Sequence, residues 1–553
     1  MKINSFVSFY KIFLTISLFV FFLPGTPAIA NEHSFSEAVS LLSAKKFKDK
    51  EVAVDKVMLF AKQEGYSEKV LTVLKLLLKG QLYYKKDNKQ IVSLQKNNGK
   101  YNATDVILGN KLSETSKRKF KKITVNNKLR RKLRSLIAKL SLKNSNSKVR
   151  LSAVQEMMGT SSANDIESIQ TYLTTEKNSN VIGAMQTLIA LSQLESNDDD
   201  IRLAGINIIA ESLEPKARNK IVSLLEKDED GKYLEQNKDI VYAAIKAKRK
   251  IDERRDVYDF FEKVFFGLSL GSVLLLAAIG LAITFGVMGV INMAHGELIM
   301  IGAYTTYVVQ LLMPNHIEYS LLVAVPAAFI VAGLFGIAIE RGVIRFLYGR
   351  PLETLLATFG ISLILQQLVR SVFSPLNRSV ETPLWMSGAL EINPVFSITY
   401  NRLSILIFSL VVFALLMLIL KKTSLGLKVR AVSQNRAMAR AMGIRSEWVD
   451  AMTFGLGSGI AGIAGVALSQ LTNVGPNLGQ AYIIDSFLVV VFGGVGNLWG
   501  TLVASMSLGV FNKFLEPEAG AVLAKILILF FIILFIQKKP RGLFPQKGRA
   551  AEN

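Results

Sequence analysis

The sequence contains no cysteine. Disulfides, thiolate metal sites and cysteine-ligated iron–sulfur clusters are therefore excluded. Histidine is almost as scarce. His33, His295 and His316 are the only three, and they lie too far apart, in settings too different, to suggest a metal cluster. No GxxxxGK[ST] phosphate-binding loop occurs, so any ATP hydrolysis belongs to another subunit. Acids are outnumbered: 43 Asp and Glu face 66 Lys and Arg, which leaves a formal charge of +23 over 553 residues. No zinc-finger spacing accompanies that charge, and the aromatics gather in apolar runs, which argues against nucleic acid as a partner.

What is present falls into two halves. Residues up to about 260 are polar and lysine-rich, whereas apolar runs dominate from Val264 to Ile536. At the N-terminus, Lys2 and Lys11 precede an apolar run from Ile12 to Leu23, and Pro24, Gly25 and Ala28-Ile29-Ala30 follow. A basic region, a short apolar core and a small-x-small site predict a signal peptide over 1–30, cleaved after Ala30. The alternative is an uncleaved first membrane helix. Export places 31–255 outside the cytoplasm, in the periplasm.

The exported segment predicts an all-α fold. Residues 67–80 set leucines at helical spacing before a glycine stop. Residues 88–128 differ and include short strands or loops. From Lys148, helix pairs open near Val149, Val181, Ile201 and Ile240, and a HEAT-like array is preferred over a single bundle although the spacing is uneven. Asp198-Asp199-Asp200 suits a helix N-terminus better than a cation site. No catalytic set is visible, so the segment binds or positions a partner.

The second half predicts a polytopic permease domain over 260–540 with broken helices, followed by a cytoplasmic tail, 541–553. Candidate spans lie at 264–284, 297–312, 320–339, 352–372, 403–420, 449–470, 483–493, 498–514 and 521–537. Crossing the hydrocarbon takes roughly 20 apolar residues; 483–493 and 498–514 fall short, and Gly493-Gly494-Val495-Gly496-Asn497 divides them. The loop 421–445 carries seven Lys and Arg and no acid, so it is placed in the cytoplasm. An exported N-terminal segment and a cytoplasmic tail then require 483–514 to cross twice.

Gly286 to Glu297 is a polar, glycine-punctuated interruption between two apolar segments. Irregular backbone at membrane depth needs protein or water around it. The alternative is a short loop between two anchors. Asn292, His295, Glu297, Tyr304 and Thr305 are candidate lining groups of a translocation path, with Asp485 and Asn497 flanking the second interruption. An intramembrane carboxylate such as Glu297 marks a pathway or a structural polar network; His295 and Glu297 equally suit caps on broken helices. The small residues of GLGSGIAGIAGVA, 455–467, are assigned to helix packing.

Several stretches together resemble the permease subunits of branched-chain amino acid ABC importers: GVINMAHGELIMIGAY at 289–304, ETLLATFGISLILQ at 353–366, SLGLKVRAVSQNRAMARAMGI at 424–444, FGLGSGIAGIAGVAL at 454–468 and VVVFGGVGNLWGTLVASMSLG at 489–509. The resemblance implies a bacterial inner-membrane subunit that catalyses no covalent chemistry and holds no cofactor. It further implies a second homologous permease, two cytoplasmic ATPase subunits that use ATP, an extracytoplasmic solute-binding protein and surrounding membrane lipid. Residues 424–444 match the coupling loop, so Gly426, Arg430, Ala431, Asn435, Ala439 and Gly443 become docking residues. The long exported segment resembles the first permease of urea importers, so urea is the expected cargo and a branched-chain amino acid the alternative. A passive urea channel fits the basic loop less well.

Overall fold

A computed structural model describes residues 27–545 apart from 64, 98–99, 116–118 and 160–162. Residues 1–26, which hold most of the expected signal peptide, lie outside the described residues. The chain divides into two compact units, one ending at Glu253 and the other beginning at Arg254.

The first unit opens with helices α1 (Pro27–Ser40), α2 (Phe47–Leu59) and α3 (Ser67–Leu78). Val70, Val73, Leu74 and Leu77 of α3 recur at helical spacing and are buried. They share a core with Phe35, whose ring meets Phe60 and Tyr66 edge-on at 5.4 and 5.2 Å.

An antiparallel sheet follows, which corrects the all-α expectation. Strands β1 (Leu82–Lys85), β2 (Ile91–Asn97), β3 (Lys100–Asp105), β4 (Lys111–Thr115) and β5 (Phe120–Lys122) pair in the order β4-β3-β2-β1-β5. The reason is local. Asn98-Gly99 is a two-residue hairpin signal, and the register closes on it with Asn97 opposite Lys100. Asp105 accepts the Ile107 and Leu108 amides at 2.8 and 2.9 Å and turns the chain again. Val92, Leu94 and Ala103, within the stretch expected to hold short strands or loops, are buried in a small sheet core.

Six helices then pack in sequence: α4 (Asn127–Ser141), α5 (Ser147–Met157), α6 (Ala163–Leu173), α7 (Ser179–Gln193), α8 (Asp199–Ile209) and α9 (Pro215–Ser223). Asn126, Asn146, Asn178 and Asp198 cap α4, α5, α7 and α8, their side chains accepting amides of the first turn. Asp198 is thus a cap. The helix expected near Ile240 and the first expected span are one element, α10 (Lys238–Met288). No proline interrupts it. Ile240, Ala244 and Ile251 join the first unit's core, and Val273 to Ile283 join the second's.

In the second unit, α11 (His295–Leu312), α12 (Ile317–Gly342), α13 (Pro351–Phe373), α14 (Tyr400–Lys422), the short helices α15 (Ser424–Gln434) and α16 (Arg436–Ala441), α17 (Ser446–Ser469), α18 (Leu478–Gly493), α19 (Leu498–Ala519) and α20 (Ala521–Lys538) follow the expected apolar segments closely. Before α14, β6 (Ala389–Glu391) and β7 (Ser397–Thr399) form a hairpin. Among the described residues, α10, α12, α13, α14, α17 and α20 are long and apolar enough to cross a membrane. The 16 residues of α18 reach about 24 Å at 1.5 Å per residue, short of the roughly 30 Å hydrocarbon core. Helix α17 is the pivot: its apolar window is 89% buried, against 17% for α20.

Glycine lets the neighbours of α17 approach. A Cβ on Gly302 of α11 would lie 2.5 Å from Gly462 Cα, and one on Gly462 would lie 2.5 Å from the Ala328 carbonyl oxygen of α12. Backbone meets backbone there, which leaves room for no side chain.

Candidate functional site: the interrupted helix and the cytoplasmic helix pair

The apolar helix α10 stops at Met288, and Gly289 turns the chain with φ +65°. Any L side chain is strained there. The segment 290–294 is irregular, and α11 restarts at His295. Met293 donates its amide to Thr358 Oγ of α13 at 3.1 Å, and Asn292 Oδ1 accepts the Ala294 amide at 3.0 Å. The His295 ring nitrogen Nε2 lies 2.8 Å from the Ala277 carbonyl oxygen of α10. Glu297 Oε1 accepts from Ser362 Oγ at 2.9 Å and Gln366 Nε2 at 2.7 Å, both on α13.

Helix α13 is therefore the polar brace of the interruption. Thr354, Thr358, Ser362 and Gln366 recur every four residues and are all buried. Sequence reasoning missed them. The signal was available: a polar stripe at spacing four inside an apolar helix faces protein rather than lipid.

The candidate path residues divide into three settings. Asn292, His295, Glu297 and Tyr304 are buried, and among the described residues Asn292 Nδ2, His295 Nδ1, Glu297 Oε2 and the Tyr304 hydroxyl have no hydrogen-bond partner. Tyr304 packs its ring 4.8 Å from Phe373. Half-buried Thr305 bonds back to Ile301 O at 2.8 Å. The remaining two are occupied elsewhere. Asp485 pairs with Lys525 of α20 at 3.1 Å. Asn497 caps α19 through the Gly500 amide, and its Nδ2 holds the Phe544 carbonyl of the tail at 3.1 Å. The structure joins Glu297 to α13 and leaves Asp485 and Asn497 outside that cluster.

The second feature is the basic loop, folded as α15 and α16. Gly426 packs on the backbone of Leu420 with no room for a Cβ. Arg430 donates to the Leu420 carbonyl at 2.6 Å, satisfying an end of α14. Asn435 caps α16 by accepting the Met438 amide at 2.9 Å. Gly443 ends α16 with φ +85°, while the Ile444 amide reaches Ala439 O at 3.0 Å. Ala439 is buried with Val429, Val432 and Val449, and Ala431 packs against them. Arg436 was counted only as cytoplasmic charge. Its guanidinium grips Asp450 of α17 with two bonds, 2.7 and 2.8 Å, and stacks 4.1 Å over the Tyr348 ring. No group of three potential metal ligands occurs among the described residues.

The family described as branched-chain amino acid transport system / permease component matches residues 263–536. The high-affinity branched-chain amino acid transport system permease protein BraD of Pseudomonas aeruginosa is 30% identical over 297 residues, covering 96% of that protein and 52% of this chain. The chain belongs to this permease family. LivH of Escherichia coli strain K12 is likewise 30% identical over 296 residues, 95% of its length and 51% of this chain. The ribose import permease protein RbsC of Bacillus subtilis matches more narrowly, at 28% over 138 residues, 43% of its length and 23% of this chain. No solved structure matches.

The permease is thus a multi-pass inner-membrane transport component and not an enzyme. The expectation of a urea permease is corrected. The family description and the BraD and LivH names concern branched-chain amino acid transport. The urea expectation rests on the long N-terminal segment, outside the matched residues.

Proposed function

We propose that this permease is the membrane subunit of an ATP-driven importer of branched-chain amino acids. The observation that carries the reading is the match along nearly the whole of BraD, 96% of its length. A second permease completes the translocation path, two ATPase subunits supply the work, and an extracytoplasmic binding protein delivers cargo. The ATPases dock on α15 and α16, where Leu427, Met438 and Met442 expose apolar side chains beside basic ones. The Arg436–Asp450 pair carries the ATPase stroke into α17. The glycine contacts pass it to α11, whose first turn holds Glu297 against α13. Asn292, His295, Glu297, Tyr304 and Thr305 line the path when that packing opens. The helices from Lys148 onward form a HEAT-like stack on the periplasmic side, supported by neighbour-on-neighbour cores.

Reconstitution with the partner subunits tests this. Labelled leucine, isoleucine and valine are expected to accumulate when ATP is present, and labelled ribose and urea are not. Ribose accumulation without leucine would overturn the cargo and keep the coupling scheme.

A further inference from the structure

Nothing in the transport reading uses the surface of the exported unit. A cleft of about 550 Å³ opens there between α3, α4 and α5, within the range of small-molecule sites. Its base is apolar. Ala138 and Ala153 are buried, and Leu78, Ile137 and Val149 are half-buried. One polar group interrupts that base. Ser141 lines the cleft and is only 3% exposed, yet its hydroxyl has no hydrogen-bond partner among the described residues. The hydroxyl opens onto the cleft, where a ligand acceptor can take the place of water.

The rim is cationic. Arg134 is held by Glu156 at 3.3 Å, which cancels one charge of each sign. Lys75 and Lys148 also line the cleft, and neither ammonium has an ion-pair or hydrogen-bond partner among the described residues. The surrounding chain adds to their field. Residues 31–150 carry roughly three Lys or Arg per Asp or Glu, and 151–253 reverse the balance.

We propose that this cleft binds a small organic carboxylate with a short apolar body. The carboxylate meets Lys75, Lys148 and the Ser141 hydroxyl, and the apolar body covers Leu78, Ile137 and Val149. A bare inorganic anion would leave the apolar base wet. An apolar cation would meet two uncompensated ammonium groups. Charge-assisted bonds supply the anchor, and burial of the chain supplies preference for length.

The test is a saturation-transfer NMR titration of the full chain in lipid nanodiscs, with hexanoate as probe and empty nanodiscs as background. Hexanoate is expected to saturate the site, acetate to bind at least tenfold more weakly, and hexylammonium not to saturate. The double variant K75Q/K148Q should weaken hexanoate at least tenfold, K75R/K148R should retain it within threefold, and S152W should fill the cleft and abolish it. Thermal unfolding of each variant confirms that the fold is intact. Equal binding of hexanoate and hexylammonium would overturn the proposal, as would unchanged binding in K75Q/K148Q or a signal no larger than that of empty nanodiscs.

Discussion

Replacing Gly302 by alanine isolates the contact that couples α11 to the central helix. The added Cβ would sit 2.5 Å from Gly462 Cα, where ordinary contact begins at 3.4 Å. The obstacle is backbone on both sides, so no rotamer change relieves it. The Gly462 carbonyl oxygen lies closer still, so the helices must part by about 1 Å or more, a gap that forfeits about half of the dispersion energy along the seam. The expected destabilisation is about 2–3 kcal/mol, at the upper end for overpacking. Gly360 is the internal control. It also lies within an apolar helix, α13, but a Cβ there meets nothing within 4 Å, so G360A should be neutral or slightly stabilising. Thermal unfolding in nanodiscs reads the difference directly, and leucine uptake reads its consequence. Equal melting temperatures for G302A and G360A would refute the reasoning, because they would show that the seam is loose enough to accept a methyl group.

Three further outcomes are expected. Q366L leaves one bond of Glu297 Oε1 unmade, at a cost of about 1–3 kcal/mol; it should lower the melting temperature, and S362A should do so less. R436K keeps the charge but loses the two-bond fork to Asp450 and the stacking on Tyr348; ATP hydrolysis by the assembled complex should persist while leucine uptake falls at least severalfold. In the N-terminal unit, the Arg150 side chain holds the Glu176 carboxyl at about 2 against an ordinary 4.5. Its stabilisation is complete above 4.5 and is lost as pH falls from 4.5 toward 2. Acid unfolding of that unit, followed by circular dichroism, should therefore lose this component in R150M.

Much of the membrane half was legible because its signals are local. Apolar runs locate the helices, and glycine clusters locate both interruptions. The basic loop at 421–445 predicts a cytoplasmic face. The brace of α13 was missed because Glu297 and Gln366 are 69 residues apart, and only helix packing brings them together. Arg436 was read as a topology signal when its partner, Asp450, sits on another helix. In the N-terminal half, short strands within 88–128 were legible, but their pairing into one sheet was not. Long-range architecture also misled the cargo assignment, since the matched residues concern a different solute class.

The linear chain determined what each segment could bury: nine apolar segments from residue 264 onward, two glycine breaks and a basic loop free of acids. Hydrophobic periodicity and backbone propensity act over a few residues, so one sequence suffices to read them. Tertiary structure alone decided which polar groups meet. Glu297 finds α13 and Arg436 finds Asp450. Asp485 and Asn497 are engaged elsewhere. A hydrogen bond forms over about 3 Å, and only close-packed helices bring residues distant in sequence that near.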